Sequence, residues 1–365
     1  MITNLNVIDP SDMGKNISSF VEQLEVSTAE PIDISLDFDR ITICGMGGSA
    51  IAGDILSDYS FGLSDVPITV IRGVQMPNWA RENTLAIITS YSGNTRETLE
   101  LYRQAMGQGC NIIGMSSGGH LEEYCREDGV FYLKVPTGIQ PRCALGYLLG
   151  YLANLTESLG VSPSRSEIRG LLPTLAEIRD LLMLDDEENP ARELALKLHG
   201  KIPVIYAPTY MNSSAIRWKN QLNENSKMIA FNGTIPEFNH NEIVGWLEGG
   251  YQKPCVPVFL YDSNAPELLR CMMEASLDTM REKGLEVEVV EIEGENVLEK
   301  NLRSIMYGDF TSLYLAYFNH VDPSPVNSIS SLKERLLAAL RHGDERKASK
   351  AGEEGGKRHR RHRSK

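Results

Sequence analysis

No run of apolar residues in the 365-residue chain approaches the ~18–20 needed to cross a bilayer. The first residues, MITNLNVIDPSD, are polar and acidic where a secretory leader would carry an apolar stretch. Cysteine is sparse and scattered. Cys44, Cys110, Cys125, Cys143, Cys255 and Cys271 never form a C-x-x-C pair, and several lie in apolar stretches, which favours buried free thiols over a disulfide framework. Histidine numbers seven, three of them (His342, His359, His362) in the last 25 residues, and neither H-x-H nor H-E-x-x-H occurs. No metal site is therefore expected. Together these absences point to a cytoplasmic chain without a membrane partner.

The net charge is −13, with ten Lys/Arg against four Asp/Glu in the last 25 residues, so the body ahead of them is near −19. A body that acidic is not a nucleic-acid-binding domain. The tail GEEGGKRHRRHRSK lacks apolar residues and is expected to be disordered. It is either a solvated extension or a contact for an acidic partner.

With 42% hydrophobic and 23% charged residues, the chain has a globular composition and the length of two ordinary domains. A capped amphipathic helix is expected over residues 11–25. Strands then alternate with helices. Expected strands are Arg40–Ile43, Ile68–Ile71, Leu85–Thr89, Asn111–Met115 and Val130–Val135. Expected helices are Ala50–Tyr59, Arg96–Gly107, Leu121–Glu127 and a long Ala144–Leu159. Such alternation implies a parallel sheet covered on both faces. A polar helical connector follows at Ser166–Leu198, and then the pattern restarts. Strands are expected at Ile202–Tyr206, Met228–Phe231, Val256–Tyr261 and Leu285–Val290, and helices at Ser213–Asn220, Glu267–Lys283, Val297–Phe318 and Ser330–Leu340. This reads as a duplication in which the second copy has Ala207-Pro208-Thr209-Tyr210 where the first has a glycine turn.

That turn is Ile41–Gly53, ITICGMGGSAIAG, with an echo at Ile87–Thr98, IITSYSGNTRET. Strand, Gly/Ser/Thr-rich turn and helix start together grip a phosphate with free N–H groups and hydroxyls. Two such turns side by side at the carboxyl edge of one parallel sheet would sit where open α/β sheets bind ligands. Gly45-Met46-Gly47-Gly48-Ser49-Ala50 also fits G-x-G-x-x-A, but the next strand ends Ile71-Arg72-Gly73 and not in the acid that a dinucleotide needs. Ser90, Ser92 and Thr95 suit phosphate oxygens better than an extended pyrophosphate, and Glu97 falls where it complements a helix dipole.

GMGGSAIAGD followed by SYSGNTRETL resembles the sugar-isomerase (SIS) domain, a doubly wound fold that binds phosphosugars. Further pieces are PRCALGYLLGYL (Pro141–Leu152), RWKNQLNENSK (Arg217–Lys227), PEFNHNEIVGW (Pro236–Trp246) and SSLKERL (Ser330–Leu336). In this order they resemble the bifunctional phosphoglucose/phosphomannose isomerases, which are tandem-SIS homodimers. The resemblance implies two flavodoxin-like, doubly wound parallel-sheet α/β domains. Residues 1–160 would carry the sugar-phosphate site, 161–340 would supply the base and a histidine, and 341–365 would be the tail.

It also implies the reaction: glucose 6-phosphate and mannose 6-phosphate each interconvert with fructose 6-phosphate through a cis-enediol, with no cofactor. Such chemistry needs a base at the C2 proton, a cation for developing oxyanion charge, and an acid–base group to open the ring. By the resemblance Glu224 is the base, although on its own it could be a solvated glutamate or a partner of Lys227. His240 would open the ring and reach the site from the partner subunit of a homodimer; alone it is a loop histidine. Arg142 would offset enediolate charge without risk of deprotonation. Lys333 would be a second cation, or simply a solvated lysine of an amphipathic helix. The 6-phosphate would be held by Ser49, Ser90, Ser92 and Thr95 with the Gly47, Gly48 and Gly93 backbones. The alternatives are a non-catalytic phosphosugar-binding regulator, a glucosamine 6-phosphate synthase-type isomerase and, more remotely, a dinucleotide-dependent dehydrogenase. The first would bring a DNA-binding domain and lack a base. The second needs an N-terminal cysteine, whereas the first cysteine here is Cys44.

Overall fold

The computed structural model describes residues 8–184, 188–250 and 253–339. The chain divides into a compact unit that ends at Pro323 and a second from Ser324 onward.

The larger unit opens with two short helices, α1 (Met13–Ser18) and α2 (Phe20–Thr28), instead of one helix over residues 11–25. Its first sheet comprises β1 (Arg40–Cys44), β2 (Ile68–Ile71), β3 (Thr84–Thr89), β4 (Asn111–Ser116) and β5 (Phe131–Lys134), all parallel, in the order β2-β1-β3-β4-β5. The crossovers are α3 (Gly48–Ser60), α4 (Arg96–Gly107) and α5 (Gly119–Asp128); α6 (Leu145–Ser158) follows.

The expected polar connector is two helices, α7 (Ser164–Leu182) and α8 (Pro190–Leu198). Each buries one face, with Ile168, Leu175 and Leu182 on the first and Leu194 and Leu198 on the second. A second all-parallel sheet follows, in the order β7-β6-β8-β9, from β6 (Ile202–Pro208), β7 (Phe231–Ile235), β8 (Cys255–Tyr261) and β9 (Glu288–Glu291). Between them lie α9 (Asn212–Glu224), α10 (Glu242–Glu248) and α11 (Glu267–Glu282), and α12 (Val297–Phe318) closes the unit. The second sheet thus repeats the first less one strand, as a duplication requires.

Two strands start three residues later than their apolar runs suggest. Met228-Ile229-Ala230 lies outside β7, whose pairing with β6 starts at Phe231↔Val204, and β9 starts at Glu288, paired with Val258. Among the described residues of the second unit, 327–339 form a helix, here α13, that starts three residues earlier than expected. Leu340 and the basic tail lie outside the described residues.

Strand alternation divides the core. Ile41, Ile43, Leu85 and Ile87 point to an interior cluster shared with Ile205, Val258 and Leu260 of the second sheet. Cys44, Ala86 and Ile88 face Leu99 and Tyr102 of α4 on the other side, and Tyr206 and Phe259 face Met273 and Leu277 of α11. Burial on both faces explains the unbroken apolar run of β3.

Helices α3 and α9 pack in opposite directions. Near the end of α3 the Asp58 carboxylate accepts the N–H of Ser213, in the first turn of α9, at 3.1 Å. At the start of α3, a Cβ on Gly48 would lie 4.0 Å from a guanidinium nitrogen of Arg217, mid-way along α9. Each helix descends from the carboxyl edge of its own sheet, so the end of α9 arrives at the carboxyl edge of the first sheet. Close packing of α9 on α12 fixes this arrangement: a Cβ on Gly308 would meet the Trp218 indole nitrogen at 2.4 Å, and that nitrogen donates to the Ser304 carbonyl at 2.8 Å.

Of the cysteines, Cys44, Cys125 and Cys143 are buried, Cys110 and Cys255 are half-buried, Cys271 is exposed, and all six are free. Among the described residues no helix is long and apolar enough to cross a membrane.

Candidate active site

The strand order reverses between β1 and β3, and the two small-residue turns lie side by side there. A Cβ on Gly45 would touch the Thr89 carbonyl at 3.0 Å, and the Tyr91 N–H donates to Ser49 Oγ at 3.3 Å. The two helix starts therefore converge. Helix α3 has Gly47 at its N-cap, in the left-handed region at φ +53°, with open space where a side chain would be and no side-chain cap. Helix α4 starts after Thr95, also without a side-chain cap, and carries Glu97 in its first turn. Uncapped N–H groups at two helix starts make a seat for an anion.

Hydroxyls line the same edge. Ser90 Oγ donates to Thr95 Oγ1 at 3.0 Å, and Ser92 Oγ accepts the Asn94 N–H at 3.2 Å. Gly93 is at φ +67°, and a Cβ there would fall 1.7 Å from the Gly118 carbonyl oxygen, so the turn admits no side chain. Gly47, Gly48, Ser49, Ser90, Ser92, Gly93 and Thr95 are thus assembled at the carboxyl ends of β1 and β3. Arg72, at the end of β2, is paired with Asp54 of α3.

The start of α3 abuts a 3-10 turn, Pro141–Cys143; a Cβ on Gly48 would sit 3.5 Å from the Pro141 carbonyl and 3.7 Å from Arg142 Cα. Arg142 is buried. Its Nε donates to Asn225 Oδ1 at 2.8 Å, and its two terminal nitrogens donate to Gln140 Oε1 at 2.7 Å and to the Pro323 carbonyl at 2.6 Å. Burial lowers its pKa, which starts high enough that the group stays charged. Glu224, the last residue of α9 instead of a residue beyond it, is half-buried with Oε2 3.8 Å from Arg142. A carboxylate and a fixed cation from the two sheets therefore meet beside the anion seat. Lys227 donates to the Glu224 carbonyl and to the Pro323 carbonyl, and burial followed by the charge of Arg142 lowers its pKa.

Two further buried groups support this centre without being evident as site residues in the sequence. Arg217 makes a bidentate pair with Asp309 of α12, at 2.9 and 2.6 Å, and also donates to the Arg142 carbonyl at 2.8 Å. Burial pulls Arg217 down and Asp309 up, but the charge and hydrogen bonds of Asp309 hold Arg217 above its ordinary value. The available signal was an aspartate inside the apolar stretch of α12.

His240 ends a 3-10 turn (Glu237–His240) after β7, at the carboxyl edge of the second sheet, and is exposed. Glu224 of the same chain is at the amino edge, a 13-residue helix away, or about 20 Å. These two residues are not brought together within one chain. Lys333 lies on α13 in the second unit, with its side chain exposed. Among the described residues no group of three or more His, Cys, Asp or Glu could hold a metal ion.

Residues 187–336 match the family described as the bacterial phospho-glucose isomerase C-terminal SIS domain. The chain is 35% identical over 330 residues to a bifunctional phosphoglucose/phosphomannose isomerase of Caldicellulosiruptor bescii, covering 89% of this chain and 94% of that one. The chain belongs to the bifunctional phosphoglucose/phosphomannose isomerase family. A second member, from Aquifex aeolicus, is 31% identical over 326 residues, covering 88% of this chain and 97% of its own. In fold, the C-terminal domain of glucosamine-fructose-6-phosphate aminotransferase from Francisella tularensis superposes with a TM-score of 0.69 at 17% identity, over 86% of this chain and 98% of that one. The matched SIS domain takes in the second sheet of this family member, and the glycine turn belongs to the first.

Proposed function

We propose that the chain is an aldose–ketose isomerase that interconverts glucose 6-phosphate and mannose 6-phosphate with fructose 6-phosphate. The observation that carries this reading is the Glu224 carboxylate 3.8 Å from buried Arg142, beside the paired helix starts of α3 and α4. The 6-phosphate is held by the Gly47, Gly48 and Gly93 backbones and the Ser49, Ser90, Ser92 and Thr95 hydroxyls, which orients the reacting end of the sugar. Glu224 takes the C2 proton, the C2–H electron pair forms the enediol double bond, and the C1 carbonyl oxygen takes up the charge that Arg142 offsets. Return of the proton to C1, with transfer of the C2 hydroxyl proton to the charged C1 oxygen, gives the ketose. Both aldoses give the same enediol skeleton after proton loss at C2, so one base serves both when the sugar turns about C2–C3 in the pocket.

In this reading His240 of a second copy opens the sugar ring, because it is too far from Glu224 within one chain, and Lys333 is a further cation at the site. The N-terminal half, to about residue 160, holds the phosphate, and the half to about 340 supplies Glu224 and His240. In this reading catalysis needs no metal.

A coupled assay with fructose 6-phosphate under exhaustive chelation tests the proposal. Both aldose phosphates should form, and Glu224→Gln should lower kcat by the ~10²–10⁴-fold expected for a lost acid–base group. Loss of activity on chelation, restored by zinc, would refute the metal-free mechanism. One aldose alone would remove the dual specificity, and no product from folded protein would favour a phosphosugar-binding protein.

A further inference from the structure

Asn225, next to Glu224, is fully buried just beyond the end of α9. Its Oδ1 accepts Arg142 Nε–H at 2.8 Å, and its Nδ2 donates to Ser312 Oγ at 3.0 Å. Ser312 Oγ in turn donates to the Asp309 carbonyl at 2.7 Å. The Asp309 carboxylate holds Arg217, which donates to the carbonyl of Arg142. A ring of hydrogen bonds thus starts at the guanidinium of Arg142 and returns to its backbone. The neighbouring Ser226 is tied to α12 as well, donating to the Ser312 carbonyl at 2.6 Å.

The chemistry of the amide is specific here. It offers an acceptor to a cation and a donor to a hydroxyl while carrying no charge. A carboxylate in its place would form an ion pair with Arg142 and offset the positive charge that Glu224 and the substrate face. An apolar residue would leave Nε–H buried without this acceptor.

We propose that Asn225 is a positioning residue of the isomerisation: it locks the guanidinium of Arg142 beside Glu224 without neutralising it. This rests on the assignment of Glu224 and Arg142 given above. Asn225 touches no substrate; it acts through Arg142.

The test measures kcat, KM for fructose 6-phosphate and thermal melting for Asn225→Asp, Asn225→Ala, Arg142→Lys and the Arg142→Lys/Asn225→Ala pair, with Glu224→Gln alongside. Asn225→Asp has nearly the same shape and keeps the acceptor, so it carries the test alone if the alanine variant does not fold. Both Asn225 variants should lose about 10²-fold in kcat, the scale of a misplaced catalytic group, with KM within about three-fold. The double variant should be no slower than Arg142→Lys, because the loss passes through Arg142. Wild-type kcat in folded Asn225→Asp, an effect confined to KM, or losses that multiply in the double variant would each overturn the proposal. Wild-type kcat in Glu224→Gln would overturn the underlying assignment instead, whatever Asn225 does.

Discussion

Arg217 and Asp309 form an ion pair buried between α9 and α12, with side chains 3% and 9% exposed. Removing one partner of such a pair leaves an uncompensated charge in the interior, so Asp309→Ala should cost about 3–5 kcal/mol. Chemical denaturation measures this loss; a change under 1 kcal/mol would mean that water or another group takes over the charge. At this scale the sequence was informative about chemistry and silent about support. The serines stand out by turn chemistry and Glu224 and Arg142 by the family resemblance, and the structure brings them to one edge. Asn225, Arg217 and Asp309 meet across 75 to 92 residues of chain, and no local pattern marks which buried polar groups will pair at such separations.

The opposed helices α3 and α9 share one titratable contact. Burial raises the Asp58 carboxyl from 3.8 to about 6, against the opposing pull of its hydrogen bonds from Ser213. The folded state therefore favours the protonated acid. As pH rises from 3.8 to 6 the unfolded chain ionises first and stability falls, and above pH 6 the fold retains the penalty of a buried carboxylate. Asp58→Asn should raise stability at pH 8 by on the order of 3 kcal/mol and give little gain at pH 3.5. Melting curves at the two pH values decide this; an equal gain at both would show that ionisation is not the cause. The elements themselves were largely legible, because strand alternation and helix periodicity are local signals. The exceptions have physical causes. The run Met228-Ile229-Ala230-Phe231 is apolar enough for a strand, but hydrogen bonding to β6 starts only at its last residue. Helix α9 runs four residues past Asn220, which makes Glu224 a helix-end residue rather than a loop residue.

For the whole molecule, the opposite directions of α3 and α9 were not legible, since periodicity says nothing about how one sheet faces another. That geometry separates Glu224 from His240 of its own chain and makes the two-copy site testable. Mixing unfolded Glu224→Gln and His240→Ala subunits and refolding them should restore about a quarter of wild-type activity: half the dimers are mixed, and each has one intact site of two. If both residues served one site within a chain, mixing would restore nothing.

Helix α12 has a further consequence. Nearly all of its 22 residues are buried, and it packs against α1 and α3 of the first half as well as α7, α8 and α9. On the ribosome it is the last helix of its unit to be made, 258 residues after α3 is complete. At ordinary synthesis rates the apolar surface of α3 that α12 will cover waits on the order of tens of seconds. Over that interval this surface is open to non-native apolar contacts, and a message truncated ahead of residue 297 would yield a first half with its inner face open.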